Sequence, residues 1–281
     1  MRVEREAFYK PEEIARGVKE KLKQVREKNE PIDYLTFVSD GEPTLDANLG
    51  REIGLLKSSG MRVAVITNAS LIWHEGVRQD LQEADWVSLK VDAVSEEIWR
   101  RINRPQKSLK LEPILDGMLR FADTFKGELT TESMLIQGRN DNSEEIEEVA
   151  SFLAELRPDV AYLAIPTRPP AKRTVTAASE QAINMAYQIF SKRLSSVEYL
   201  VGYEGNAFAF TGNAEADLLS ITSVHPMREE AVIAFLKKAG SKWVVIDRLI
   251  EDGSLTEVEY QGRKFYMRKL PQRSRRSLHT T

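Results

Sequence analysis

Residues suited to binding a charged ligand gather where three apolar, β-branched segments of the chain end. They are Gly41, Glu42 and Pro43 after Tyr34–Ser39, Thr67 and Asn68 at the end of Arg62–Thr67, and Ser88, Lys90 and Asp92 along and after Trp86–Val91. In the first group, Gly41 permits a sharp turn and Pro43 stiffens it. Such a turn presents backbone carbonyl groups and the Glu42 carboxylate, all hydrogen-bond acceptors, to the ammonium group of a ligand. The same residues also fit a plain turn in which Asp40 or Thr44 caps the next helix.

The third group lies along a single strand. Because side chains alternate between the two faces of a strand, Ser88, Lys90 and Asp92 share a face and could all contact one ligand. The structural alternatives are strand-end capping by Ser88 and Asp92 and an ion pair between Lys90 and an acidic neighbour. A further interpretation makes Lys90 a Schiff-base lysine of an aldolase, activated by desolvation, although the sequence offers no accompanying aldolase residues.

The segments that carry these residues alternate with amphipathic ones over residues 1–200. Further apolar runs are Leu129–Gln137, Val160–Pro166 and Val197–Gly202, and the predicted helices are Pro11–Lys28, Ala47–Ser59, Glu75–Ala84, Ser95–Asn103, Leu111–Phe125, Ser143–Leu156 and Ser179–Leu194. Ser95 and Ser143, each followed by acidic residues, are predicted N-caps. Strands that are apolar throughout, with helices between them, predict a parallel sheet or β/α barrel. In such folds ligands bind at the carboxyl ends of the strands, where the residues above lie.

A different pattern follows Gly212. The predicted elements are a helix over Glu229–Ala239, a second helix over Lys242–Glu251 capped by Ser241, and two strands, Leu255–Tyr260 and Lys264–Leu270, on either side of Gln261-Gly262. The dipeptide between the strands is typical of a two-residue hairpin turn. Helix, turn, helix and hairpin in this order predict a winged-helix domain, with Lys242–Glu251 as its recognition-like helix.

The residues at the strand ends resemble those of the radical S-adenosylmethionine (radical SAM) superfamily, over residues 8–210. In that superfamily a Gly-Glu-Pro turn holds the amino group of SAM, and Gly41-Glu42-Pro43 matches this turn. The segments TNAS from Thr67 and SLKVDA from Ser88 fall where the superfamily lines the ribose and carboxylate of SAM. The segment MLIQGRNDNSEEIEEVASFL from Met134 matches the strand, loop and helix that receive the adenine. With INRP at Ile102–Pro105, the chain looks closest to proteins similar to the wybutosine-synthesis group.

This resemblance implies both a fold and a chemistry. The fold is a partial parallel β/α barrel, of which this chain lacks the first strand. The chemistry is reductive cleavage of SAM at a 4Fe–4S cluster, giving a 5′-deoxyadenosyl radical that abstracts hydrogen from a substrate, with an electron donor as partner. Glu42 would accept a hydrogen bond from the SAM ammonium, and Thr67, Asn68, Ser88, Lys90 and Asp92 would surround its ribose and carboxylate. The protein would then be an oxidoreductase-type iron–sulfur enzyme whose substrate the sequence does not identify.

The chain departs from the superfamily in having no cysteine. Members hold three irons of the cluster with Cys-x3-Cys-x2-Cys after the first strand, and the scattered His74, His225 and His279 cannot replace those ligands. The chain as given is therefore expected neither to bind the cluster nor to be active. Of two open explanations, a sequence that begins at an internal methionine and a degenerate relative without redox chemistry, we favour the first.

Composition and charge bear on compartment and partners. With 42% hydrophobic and 30% charged residues, the chain has the make-up of an ordinary globular protein. It has no apolar run of membrane-spanning length and no signal-like start, so we expect a cytoplasmic protein without a membrane partner. From Pro226 onward there are 12 Lys and Arg residues against 7 Asp and Glu, although the whole chain carries −3. A polyanion such as tRNA would therefore meet this segment first.

The predicted organisation has three parts. They are a radical SAM-like partial β/α barrel over residues 1–212, a winged-helix-like domain over residues 213–270, and a basic flexible tail over residues 271–281. Two alternatives remain open for the C-terminal part. In one it is the functional part of a non-catalytic radical SAM-fold protein that binds nucleotide or RNA; in the other it merely packs on the barrel.

Overall fold

The computed structural model describes residues 2–38, 41–170, 172, 174–200, 208–224, 226–260 and 262–269. The chain divides into two compact units, Met1–Glu204 and Gly205–Thr281. The predicted boundary between residues 212 and 213 falls inside the second unit. The predicted tail, and Gln261 and Leu270 of the predicted hairpin, lie outside the described residues.

The first unit is built on a six-stranded parallel sheet. Its strands are β1 (Tyr34–Phe37), β2 (Arg62–Thr67), β3 (Trp86–Lys90), β4 (Glu128–Met134), β5 (Val160–Ala164) and β6 (Val197–Leu200), and they pair in sequence order. Every neighbouring pair is parallel, with Ser88 opposite Thr130 and Lys90 opposite Glu132 between β3 and β4. The parallel α/β fold predicted from the sequence is confirmed.

In the described part of the first unit, one α-helix precedes the sheet and six connect its strands. They are α1 (Pro11–Glu27), α2 (Leu49–Lys57), α3 (Glu75–Gln82), α4 (Glu96–Asn103), α5 (Leu111–Ala122), α6 (Ser143–Leu156) and α7 (Glu180–Ser191). The predicted caps differ in detail. Asn142, not Ser143, caps α6, because its side chain accepts from the Glu145 N–H at 3.0 Å. Ser95 occupies the N-cap position of α4, but its hydroxyl contacts Glu145 instead of the helix backbone.

The sequential strand order leaves one face of the sheet without helices. Parallel crossovers are right-handed, so a sheet that grows in one direction carries all its helices on one side. Accordingly, α1 packs on α2, α2 on α3, α3 on α5, α5 on α6 and α6 on α7. Val65, Val87 and Leu163 point toward this layer and are buried in the core. On the opposite face, Ile66 and Tyr162 retain solvent exposure, so this open face is accessible to a ligand.

The second unit combines three helices with a small antiparallel sheet. Its elements are α8 (Ala214–Val224), β7 (Met227–Arg228), α9 (Glu229–Lys238), α10 (Val244–Glu251), β8 (Leu255–Tyr260) and β9 (Arg263–Arg268), with the strands ordered β7-β9-β8. The sequence did not predict α8 or β7. In addition, α10 begins after Trp243, with no side-chain cap, rather than at Lys242 behind Ser241. Phe235, Leu249 and Phe265 form part of its buried interior.

No helix within the described ranges is both long enough and apolar enough to cross a membrane.

Candidate functional site

Glu42 ties the end of β1 to the end of β2. It is the N-cap of a short 3-10 turn, Pro43–Leu45, and its carboxylate accepts from the Thr44 N–H at 3.2 Å and from the Thr44 hydroxyl at 2.8 Å. The Thr67 hydroxyl and the Asn68 N–H, the latter at 2.8 Å, donate to it from β2. Glu42, rather than Thr44, therefore caps this turn. Asp40, the other predicted cap, lies outside the described residues. Burial raises the pKa of the Glu42 carboxyl above its ordinary value, while these hydrogen bonds act in the opposite direction.

The Glu42 turn still presents polar atoms that the chain does not use. Within the described part of the chain, no donor reaches the Gly41 carbonyl, and the Asn68 side-chain N–H groups have no acceptor. The Asn68 side-chain oxygen is occupied, because it accepts from the Ser70 N–H at 2.9 Å. The turn thus offers a carbonyl acceptor and an amide donor to a ligand at the carboxyl ends of β1 and β2.

Lys90 is held between two carboxylates at the end of β3. Its ammonium nitrogen lies 2.8 Å from Glu132 Oε1 and 3.3 Å from Asp92 Oδ1. Burial acts to lower the pKa of Lys90, but the charges and hydrogen bonds of Asp92 and Glu132 outweigh it and raise the pKa above its ordinary value. A Schiff-base lysine must be deprotonated, so this arrangement disfavours the aldolase interpretation and favours the ion pair. About a quarter of the Lys90 side chain remains exposed, leaving one N–H direction for a ligand.

Asp92 is fixed from three sides and is almost fully buried. Its carboxylate accepts from the Asn103 side chain at 2.7 Å and from the Met134 N–H at 2.8 Å, in addition to its contact with Lys90. Its backbone carbonyl accepts from the Asn140 side chain at 2.8 Å. Asn140 also binds the backbone of Met134 and Ile136, so it joins the loop after β4 to the end of β3.

Seven of the eight predicted residues form two groups rather than one network, and Ser88 belongs to neither group. Glu42, Thr67 and Asn68 are hydrogen-bonded together beside Gly41 and Pro43, and Lys90 is paired with Asp92. Across the described ranges, no hydrogen bond or ion pair joins the two groups. Ser88 is buried on the open face of β3, in register with Ile66 of β2 and Thr130 of β4.

Three residues that contact the second group, Glu132, Asn103 and Asn140, were not among the assigned site residues, although Glu132 lies toward the end of a predicted strand and Asn140 lies in the loop that follows it. Glu132 could have been found by register, because Lys90 needs an acidic neighbour and β4 is the next strand. Asn103 and Asn140 carry no comparable pattern, since they reach Asp92 from a helix and a loop.

Comparison with known protein families identifies the first unit. The family model described as "Radical SAM superfamily" matches residues 4–153. The chain belongs to the radical SAM superfamily. A UPF0026 protein of Methanocaldococcus jannaschii is 44% identical over 275 residues, which cover 97% of this chain and 85% of that protein. A UPF0026 protein of Synechocystis is 37% identical over 139 residues, covering 49% of this chain and 52% of that protein.

A solved structure supports the fold. The structure of TYW1 with a lysine-pyruvate adduct bound superimposes with a TM-score of 0.52 at 18% identity, over 67% of this chain and 64% of that one. A likeness at this level of identity is one of fold alone.

The superfamily uses SAM and a 4Fe–4S cluster, and the residues of this chain fit one of the two. The chain has no cysteine, and among the described residues no three His, Asp or Glu side chains come together as metal ligands. It does not fit the cluster. The zwitterionic end of SAM is chemically compatible with this site, because the Gly41 carbonyl and the Glu42 carboxylate are acceptors for an ammonium group, while Lys90 and Asn68 are donors for a carboxylate.

Proposed function

We propose that the first unit binds SAM, the molecule from which its superfamily generates radicals, at the carboxyl ends of β1, β2 and β3. The observation that carries this proposal is that hydrogen-bond donors and acceptors available to a ligand lie at the ends of neighbouring strands, on the open face of the sheet. The Gly41 carbonyl is an acceptor for the ammonium group of an amino acid, and the Lys90 ammonium, about a quarter exposed beside its two carboxylate partners, is a donor for the carboxylate.

Within this site the residues divide into those that contact SAM and those that position the others. We assign the ammonium group of SAM to the Gly41 carbonyl and the Glu42 carboxylate, and its carboxylate to Lys90 and Asn68, with Ser88 beside the ribose. Thr67 and Asp92 direct their side chains to Glu42 and Lys90, so we assign them positioning roles. Pro43 holds the turn. When bound at a reduced cluster, SAM supplies a carbon radical in this superfamily. The present chain offers no thiolate for that cluster.

Calorimetric titration with SAM and with S-adenosylhomocysteine tests this site. Without iron to hold the amino and carboxylate groups, we expect weak affinity, about millimolar, or about −4 kcal/mol. Lys90→Gln is expected to weaken SAM binding several-fold, by about 1 kcal/mol or more. The matched control is Lys126→Gln, which removes an exposed lysine ahead of β4 at the opposite edge of the sheet. Equal affinities for the two variants, with both folded by circular dichroism, would reject the assignment of Lys90.

For the second unit we propose a winged-helix domain that binds a polyanion such as tRNA. The order of its elements and the strand order β7-β9-β8 support a helix, strand, two helices and wing arrangement. Its exposed basic residues include Lys237, Lys242, Arg263 and Lys269. Ion pairs of Arg248 with Glu215 and of Lys264 with Glu257 neutralise part of this charge, which limits the expected affinity.

Salt dependence distinguishes this proposal from a purely structural second unit. Each phosphate contact on single-stranded RNA contributes a log–log slope of about −0.7, so tRNA affinity is expected to fall steeply with added salt. Deleting residues 271–281 is expected to make the slope shallower. A full-length variant with Arg273, Arg275 and Arg276 changed to Gln should behave like the deletion if charge is the cause. Absence of tRNA binding at low salt in the unaltered chain would mean that the second unit is structural.

A further inference from the structure

A cleft in the first unit lies outside the candidate SAM site. It opens between α4, the loop that follows it and the first turns of α5, with a volume of about 720 Å³. Small-molecule sites in proteins typically measure about 300–1,000 Å³, so the cleft is large enough for an organic ligand. Val94 and Leu115 contribute apolar wall, and Arg100, Lys107 and Lys110 contribute positive charge.

The walls of this cleft are fixed by hydrogen bonds within the chain. Gln106 accepts from both the N–H and the hydroxyl of Ser108, and Arg100 donates to the Leu109 carbonyl at 2.6 Å. Glu96 accepts from the Leu111 N–H at 2.8 Å, so the beginning of α5 is already capped. The loop is therefore held in place without the help of its two lysines.

The charged side chains of the cleft that are not neutralised by ion pairs favour the binding of an anion. Arg100 and Glu96 form an ion pair at 2.6 Å and cancel each other. Neither Lys107 nor Lys110 forms an ion pair or a hydrogen bond with any described residue. Of the two acidic residues that line the cleft, Glu96 is paired with Arg100, and Glu112 is the one that opposes the lysines. The unpaired ammonium groups of Lys107 and Lys110 therefore outnumber the Glu112 carboxylate, so the cleft has a net positive charge beside its apolar wall.

We propose that this cleft binds a phosphate ester, with Lys107 and Lys110 holding the phosphate and Val94 and Leu115 contacting its organic part. A doubly charged phosphate can accept from two ammonium groups at once, which a single carboxylate does less well. The site adjoins the carboxyl edge of the sheet, because α4 also carries Asn103, which binds Asp92 at 2.7 Å. The inference is independent of SAM binding.

Titration with phenyl phosphate, followed by backbone amide NMR, tests the site directly. The amide signals of Ser108, Lys110 and Leu111 are expected to shift, and phenyl phosphate is expected to bind more tightly than inorganic phosphate or benzoate. Changing Lys107 and Lys110 together to Ala should lower the affinity about tenfold, or by about 1.4 kcal/mol, since two exposed ion pairs with the phosphate are lost. Glu112→Gln should raise the affinity by removing the opposing charge.

The matched control removes two positive charges elsewhere. Lys19 and Lys28 are exposed on and after α1, and neither forms an ion pair with a described residue. The Lys19→Ala, Lys28→Ala variant should bind phenyl phosphate like the unaltered chain. If both double variants lost the same affinity for phenyl phosphate, the effect would be due to net charge alone, and the proposal would be overturned. Shifts confined to amides outside residues 94–115, or no shifts at all, would overturn it as well.

Discussion

Buried acidic side chains in the first unit differ in how many hydrogen-bond donors and positive charges stabilise their carboxylates. Glu42 and Asp92 each accept hydrogen bonds from several donors, and Asp92 also faces the charge of Lys90. Glu52 on α2 is equally buried, at 2% exposure, but one of its carboxylate oxygens has no hydrogen-bond partner among the described residues. A buried carboxylate without donors is costly, so these residues are expected to respond differently to substitution and to pH.

Replacing Glu42 by Gln tests the role of its carboxylate. In the variant, the side-chain NH2 group replaces one of the two carboxylate oxygens, which accept from the Thr67 hydroxyl and the Asn68 N–H. Because a donor then faces a donor, one charge-assisted hydrogen bond is lost. We expect SAM affinity to fall by about 1–3 kcal/mol, together with a lower unfolding temperature. Calorimetry measures the first quantity and circular dichroism the second.

The two measurements separate the possible roles of Glu42. A fall in SAM affinity shows that the carboxylate serves the site. A lower unfolding temperature with identical SAM affinity would reject the assigned contact and leave Glu42 as a link between β1 and β2.

Glu52 is expected to make stability depend on pH. Burial, and to a lesser degree the charge of Asp46, raises the pKa of Glu52 from 4.5 to about 7. Because the folded-state pKa lies above the unfolded one, the stabilisation is complete below about pH 4.5 and is lost as the pH rises to about 7. At 1.36 kcal/mol per pKa unit, the loss amounts to about 3 kcal/mol.

Urea unfolding at several pH values measures this effect as the difference between the chain and its Glu52→Gln variant. The variant should remove the decline in unfolding free energy between about pH 4.5 and 7. The exposed Glu20→Gln on α1 serves as control and should leave the pH profile unchanged. Parallel profiles for the chain and Glu52→Gln would show that Glu52 is ionised in the folded protein.

Among the elements, α5 is positioned by a close approach to the loop after β2. A Cβ atom added at Gly117 of α5 would lie 2.7 Å from the Ile72 carbonyl oxygen and 2.8 Å from the Trp73 nitrogen. Both are backbone atoms, which cannot move aside without shifting the loop. The glycine is therefore required by packing, and the position of α5 sets the wall of the cleft beside α4.

Gly117→Ala is accordingly expected to destabilise the protein by about 1–3 kcal/mol. Gly54 on α2 provides the opposite case, because a Cβ there would meet nothing within 4 Å. Gly54→Ala should stabilise by up to about 1 kcal/mol, since alanine has the higher helix propensity. Thermal unfolding of the two variants measures both effects, and destabilisation of equal size in both would contradict the packing argument.

At the scale of the whole molecule, a site suited to SAM lies in a chain without cluster ligands. Superfamily membership implies the 4Fe–4S cluster, yet the sequence contains no cysteine and three histidines that are far apart in sequence. The proposed binding of SAM can therefore be measured in this chain separately from cluster formation.

Anaerobic reconstitution of the chain with iron and sulfide is expected to give no 4Fe–4S cluster and no cleavage of SAM, because thiolate ligands are absent. Electron paramagnetic resonance after reduction and chromatography for 5′-deoxyadenosine measure the two outcomes. A sample without protein accounts for colloidal iron sulfide. A four-iron signal that copurifies with the chain, or formation of 5′-deoxyadenosine, would contradict the prediction.

The sequence by itself determined most elements of the first unit and the edge on which its polar residues gather. Runs of β-branched residues and amphipathic segments are local patterns, and they placed β2 at the observed residues and Lys90 at a strand end. In the second unit the same local patterns placed α9, α10, β8 and β9 within a few residues of their observed bounds, but they missed α8 and β7. There α8 lacks a clear apolar stripe, and β7 has only two residues and is defined by its pairing with β9.

Only the tertiary structure decided what each polar residue does. Glu42 finds its donors on β2, Lys90 finds Glu132 42 residues away, and Asp92 finds Asn140 48 residues away. No local pattern encodes such partners, because they depend on strand register and on where a loop returns to the sheet. The cleft beside α4 has the same origin: its lysines are ordinary surface residues in the sequence, and the fold places them together over an apolar wall.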